Sequence, residues 1–160
     1  MDAIPVSQVH LCGACTRTGV CRLGVIDERL IEPGVSLTRL ECGAQYEGGP
    51  GVAHGGWTAE AMDEVLGHLN ILSGRMAVTA QITVEYVRPV PIGRPLELRA
   101  WCETVEAGRR HNRGELTLAA TGAVLARAHG VFVERDASHF ERYRRWIAAQ
   151  DAAAAAKGES

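Results

Sequence analysis

No apolar run in this chain approaches the length of a membrane span, so a helix crossing a bilayer is not expected. The first residues, Met1-Asp2-Ala3-Ile4-Pro5, carry neither a basic n-region nor an apolar h-region, and no secretory signal peptide is expected there. Basic charge is not in excess: the net charge is −2, which argues against nucleic acid as a partner. Lysine is nearly missing, since sixteen of the 17 basic residues are Arg. That imbalance has two readings, genomic base composition first and bidentate phosphate contacts wherever arginines cluster second. The five cysteines are an odd number without a secretion signal, which points to reduced thiols in a cytoplasm. Repeats and a second domain are also missing.

What is present is a chain of 160 residues with 46% hydrophobic content, enough for one domain with a sizeable core and too apolar for a disordered segment. Residues 1–21 read as an irregular Cys-rich segment, 22–135 as the folded domain and 136–160 as a helical tail. Two strands are expected at Leu23–Ile31 and Val35–Cys42, turned by Glu32-Pro33-Gly34. A Gly-rich loop, Glu47-Gly48-Gly49-Pro50-Gly51, delivers the chain to a helix from Trp57 to about Leu72. There Met62, Val65, Leu66, Leu69 and Leu72 form an apolar stripe at helical spacing. A second helix face is made of small residues, Gly56, Ala59, Asp63, Gly67 and Gly74. Further strands follow at Arg75–Arg88, Pro95–Val105, Arg109–Ala120 and Ala123–Val133. The tail begins with a helix over Ser138–Gln150 and is expected to fray through Ala152–Ala156. A long helix followed by successive antiparallel strands is an α+β order.

The chemistry concentrates in Gly51-Val52-Ala53-His54-Gly55-Gly56, with Asp63 nine residues after His54. A helix start with bare glycines offers unpaired N–H groups and a positive dipole end to a developing oxyanion, and a nearby carboxylate activates water. Downstream come Val78-Thr79-Ala80-Gln81-Ile82-Thr83-Val84-Glu85-Tyr86-Val87-Arg88-Pro89, then Gly108-Arg109-Arg110, then a closing hairpin ending in Ala128-His129-Gly130-Val131-Phe132-Val133. This ordered series, from about Leu23 to Val133, resembles the hotdog-fold acyl-CoA thioesterases of the PaaI-like (phenylacetate-pathway) clade. The resemblance implies an antiparallel sheet wrapped around one long central helix. It also implies hydrolysis of an acyl- or aryl-CoA thioester without a cofactor, by a homodimer with shared active sites that assembles to a tetramer.

By the same resemblance Asp63 is the catalytic carboxylate, as general base or as nucleophile, and the Gly55 amide polarises the carbonyl, with Gly56 beside the substrate. Glu60 and Glu64 are Asp63's competitors; Glu64 lies about 100° around the helix, toward the more solvated side. His54 shapes the turn rather than serving as base. Thr79 aligns with a hydroxyl residue that holds water or substrate in some members, although a β-branched residue in a strand needs no such role. The family often places Asn or Gln in the loop before the His-Gly-Gly. Here Gly48 stands at that place and Gln45 comes earlier. Arg88, Arg109 and Arg110, with Arg113, are candidates for the CoA phosphates. His10, Cys12, Cys15 and Cys21 have zinc-type identities at a spacing too loose to assign a metal, and none is expected. Cys42 and Cys102 read as core residues, and Trp57 and Met62 as walls of an apolar pocket. Two rival readings remain. One is a hotdog hydratase using Asp63 and His68, which five residues of helix point about 140° apart. The other is a non-catalytic acyl-CoA-binding module.

Overall fold

The computed structural model describes residues 12–158. Element α1 (Gly13–Thr18) leads into β1 (Val25–Glu32) and β2 (Val35–Glu41). A single helical turn, Ala44–Tyr46, and the small hairpin β3 (Glu47–Gly49) and β4 (Val52–Ala53) then bring the chain to α2 (Gly55–Leu72). Four longer strands follow, β5 (Ala77–Tyr86), β6 (Pro95–Glu106), β7 (Arg109–Leu118) and β8 (Ala123–Glu134), and the described chain closes with α3 (His139–Gly158). The six long strands form one antiparallel sheet in the order β1-β2-β6-β7-β8-β5. The α+β arrangement of one helix against a wrapped antiparallel sheet is the expected one.

Burial explains why α2 sits at the centre. Trp57, Ala61, Met62, Val65, Leu66 and Leu69 recur at three- and four-residue intervals and are buried against Leu40, Leu96, Leu98, Leu116 and Phe132 of the sheet. Burying side chains of this size stabilises the fold by about 1.5–3 kcal/mol each. Two glycines on the sheet's inner face let the helix come close. A Cβ at Gly114 would stand 2.5 Å from Leu66 Cδ1, and one at Gly130 would stand 3.3 Å from Leu66 Cδ2. Polar pins fix the helix lengthwise: Asn112 Nδ2 donates to Leu66 O at 2.8 Å, and Arg110 Nε donates to Asn70 Oδ1 at 2.9 Å.

Four expectations need correction. Residues 13–18 are helical rather than irregular, closed by Gly19 in the left-handed region. His10 lies outside the described residues. Helix α2 starts at Gly55, two residues earlier than its apolar pattern suggests, because His54 caps it. Helix α3 does not dissolve after Gln150 but runs through Ala152–Ala156 to Gly158; alanine is the best helix former and overrides the lack of packing. Trp57 and Met62 are core residues, 2% and 0% exposed, and line neither of the two cavities beside the C-terminal half of α2.

Candidate active site

The start of α2 is built by the β3–β4 hairpin. His54 N donates to Tyr46 O at 2.7 Å and Ala53 N to Val90 O at 2.8 Å, which fixes the entry of the chain. His54 has extended backbone angles and is the N-cap: its Nδ1 accepts from Gly56 N at 2.9 Å, and its carbonyl accepts from Trp57 N at 3.0 Å. The Gly56 amide is therefore spent within the cap. The Gly55 N–H takes part in none of the hydrogen bonds among the described residues and belongs to an exposed residue at the positive end of the helix. Gly48 explains the departure from the family's loop, since a Cβ there would stand 2.8 Å from His54 Cα and displace the cap. Gln45 is exposed, and its side-chain amide is folded against Gly43.

Asp63 lies eight residues further along α2, half-buried. Its Oδ1 accepts from Thr79 Oγ1 on β5 at 2.8 Å. Burial raises the Asp63 pKa above the ordinary 3.8; the Thr79 hydrogen bond opposes that, and the neighbouring Glu64 charge adds to it. The result is a carboxylate held in one orientation and more basic than a surface Asp.

Glu64, the next residue, is not on a solvated face. It accepts from His68 Nε2 at 3.1 Å, while His68 Nδ1 meets Glu28 Oε2 at 2.8 Å and Thr38 Oγ1 donates to Glu28 Oε1 at 2.9 Å. Glu28 is 1% exposed. Burial pulls the His68 pKa down, but hydrogen bonds and charge from Glu28 and Glu64 outweigh it and carry it up to about 10, so the ring is an imidazolium. The His68 hydrogen bonds chiefly lower the Glu64 pKa, against burial. Both nitrogens of His68 are thus committed to these two carboxylates rather than to Asp63. Glu60 is paired with Arg22 at 2.6 Å.

The candidate arginines are dispersed. Arg88 follows β5, exposed, with Nη1 donating to Val124 O at 2.7 Å. Arg110 is buried between sheet and helix on Asn70 and Glu134. Arg109 is exposed and, by strand alternation, lies on the sheet face away from α2. Arg113 pairs with Glu103 at 3.0 Å. Cys42 is buried and Cys102 half-buried, its thiol donating to Thr104 O at 3.7 Å. Cys12, Cys15 and Cys21 are half-buried, and burial with hydrogen bonds from its two neighbours pushes the Cys15 thiol up to about 11. Among the described residues no group of three or more His, Cys, Asp or Glu stands in metal-holding geometry. No described helix is long and apolar enough to cross a membrane.

Tyr86 had no role beyond its place in the strand motif, and the structure brings it to the helix start. Its OH donates to Gly55 O at 2.9 Å, and its ring covers the side of Gly55 where a Cβ would point, 3.5 Å away. Its spacing from Gly55, 31 residues and one strand away, carries no local signal.

Residues 50–111 match the Thioesterase superfamily. Acyl-coenzyme A thioesterase THEM5 of Mus musculus is 27% identical over 99 residues, 62% of this chain and 40% of that protein. Among solved structures, a thioesterase superfamily protein designated RHA08564 superposes with a TM-score of 0.64 at 31% identity, over 69% of this chain and 54% of that one. The PaaI protein from the phenylacetic acid degradation operon of E. coli gives 0.65 at 17% identity, over 79% and 86%. The chain therefore spans two fifths of the mouse relative and about half of the first structure. Its sheet and central helix are a hotdog fold, and its loop, helix and following strands are similar to the Thioesterase superfamily.

Proposed function

We propose that the chain is a cytoplasmic acyl-CoA thioesterase of the PaaI-like clade, hydrolysing an acyl- or aryl-CoA thioester to a carboxylic acid and free CoA without a cofactor. The observation that carries this reading is a basic carboxylate, Asp63, clamped by Thr79 on a helix whose first amide, Gly55 N–H, is free to donate. The Gly55 amide, aided by the helix dipole and supported from behind by Tyr86 and His54, stabilises the oxyanion that forms on the thioester carbonyl. Asp63 takes a proton from water as its oxygen bonds to the carbonyl carbon, or attacks that carbon itself to give an anhydride that water then opens. In either case the C–S bond breaks and CoA leaves as a thiolate that takes up the proton. Thr79 holds Asp63 in line through its Oδ1. Of the arginines, Arg88 and Arg109 are exposed and suit the CoA phosphates, whereas Arg110 serves the helix–sheet contact.

Gly55 and Asp63 are separated by eight residues of one helix, roughly 12 Å. One amide cannot hold a carbonyl oxygen while the Asp of the same helix reaches the adjacent carbon. A two-fold dimer resolves this by setting the Gly55 end of one helix beside Asp63 of the other. Strand β5, which carries Thr79 and Tyr86, is the sheet edge next to the site and offers ten residues of backbone to its counterpart. Pairs of such dimers give the tetramer.

Thiol release from a panel of acyl- and aryl-CoA esters tests the activity, and no release from any ester would remove it. The shared site is tested by mixing two inactive, folded variants, Asp63→Ala and Gly55→Pro. Subunit exchange restores activity if each site draws on both chains, since one site in each mixed dimer is then intact. A mixture that stays inactive after demonstrated exchange places both groups in one chain.

A further inference from the structure

We infer that the acyl group of this thioesterase is an unbranched medium-to-long alkyl chain, lodged in a groove that runs from Asp63 along the C-terminal half of α2 to Phe140 of α3. The inference rests on the proposed thioesterase reading and adds the substrate class. Two cavities adjoin there. The first, about 340 Å³, opens at Asp63 and Thr79 and passes Gly67 and Phe132. The second, about 600 Å³, lies between Met76 and Phe140. They share Gly13, Ile71, Ala77 and Val78 as walls, so they form one path.

The chemistry of the walls changes along this path. Near Asp63 stand Glu64 and His68, already satisfied by each other and by Glu28. Beyond Ile71 the walls are apolar except for Arg75, and Ile71, Met76 and Phe140 are exposed at 44%, 36% and 51% along the rim. A pantetheine arm would leave its amides unpaired in that outer half, and an aryl ring one carbon from the thioester would fill the inner half only. A straight alkyl chain suits the apolar outer half, with the thioester end of the substrate in the polar inner half beside Asp63 and Thr79. From Asp63 to Ile71 the helix advances roughly 12 Å, which sets the minimum reach of the groove.

Gly67 supports the assignment. It sits one turn after Asp63 in the interior of α2, where glycine is a poor helix former. Packing does not require it: a Cβ there would meet only Phe132, at an ordinary 3.5 Å. The helix keeps an open side along the inner cavity, which Gly67 lines.

A saturated acyl-CoA ladder from acetyl to hexadecanoyl, together with phenylacetyl-CoA, tests this. The expected result is a kcat/KM that rises at least tenfold from acetyl to dodecanoyl and exceeds that for phenylacetyl. Ala77→Phe, which plugs the junction, should lower the dodecanoyl-to-acetyl ratio at least tenfold. Phe140→Ala, a change at an exposed position, should lower it several-fold without loss of folding. Gly67→Ala should raise Tm while lowering the same ratio. A flat or falling ladder, or ratios unmoved by all three variants, overturns the inference while leaving thioesterase activity standing. If no ester is hydrolysed, the thioesterase reading fails separately. Calorimetric binding of dodecanoyl-CoA and acetyl-CoA to Asp63→Asn then decides the groove, with equal affinities overturning it.

Discussion

Asp63 and Glu64 are adjacent carboxylates on one helix, and the structure gives them opposite characters. Asp63 faces β5, where burial raises its pKa and a single neutral hydroxyl restrains it. Glu64 faces β1, where an imidazolium lowers its pKa and ties it into the Glu28–His68 cluster. The rotation of about 100° between successive helical residues is enough to put one group among weak partners and the other in an ion pair. Basicity suited to proton transfer survives only in the first. A charge that holds two elements together is the business of the second.

The comparison breaks most sharply on the Glu64 side. Removing the cation with His68→Leu leaves the buried Glu28 charge with only the Thr38 hydroxyl as partner, which is expected to cost about 3–5 kcal/mol in chemical denaturation. The pH dependence has a definite sign. His68 is raised in the folded state from 6.5 to about 10, so its stabilisation is complete below pH 6.5 and is lost as pH climbs from there through about 10. The wild type should lose several kcal/mol over that window, and His68→Leu should lack that component. A variant as stable as wild type with the same alkaline loss would show that the cluster does not hold β1 to α2.

On the Asp63 side the expected loss is in rate. Asp63→Asn should lower kcat at least about 10²-fold while acyl-CoA binding and Tm remain close to wild type. Glu64→Gln, by contrast, should retain turnover. Reversal of these two outcomes would exchange the roles of the pair.

Thr79→Val keeps the shape and removes the hydroxyl that lowers the Asp63 pKa. The acid limb of kcat/KM, set by an Asp63 already above 3.8, should therefore move to higher pH. Glu64→Gln should move it to lower pH, since the Glu64 charge raises Asp63. An unmoved limb in both variants would mean that another group titrates.

The smallest expected effect concerns the cysteines. Protein purified without added metal should hold no stoichiometric zinc and should keep its activity with chelator, as judged by elemental analysis and thiol release. About one zinc per chain, lost with thermal stability in Cys15→Ser, would reveal a structural site.

Much of the architecture was legible because local patterns and burial agree. The α2 stripe of Met62, Val65, Leu66 and Leu69, the turn at Pro33-Gly34 and the alternation in β6 to β8 each have one reading. The helix start was misplaced because glycines carry a weak helix signal, and only the bond from Gly56 N to His54 Nδ1 shows where α2 begins. The contact of Asp63 with Thr79 was within reach through the family's pattern. The Tyr86–Gly55 bond was not, nor was the Glu28–His68–Glu64 cluster, in which Glu28 on β1 lies 36 and 40 residues from Glu64 and His68 on α2.

By itself the sequence determined which segments become strands and helix, because hydrophobic period and turn chemistry act over a few residues. It also determined that a carboxylate follows a glycine-rich helix start by two turns. The tertiary structure alone decided which of two neighbouring carboxylates stays basic, which arginine is spent in the core, and where an apolar path leaves the site. Those outcomes depend on what burial and distant strands place around each group, and the energies of buried charge and hydrogen bonding are set by that surrounding rather than by order in the chain.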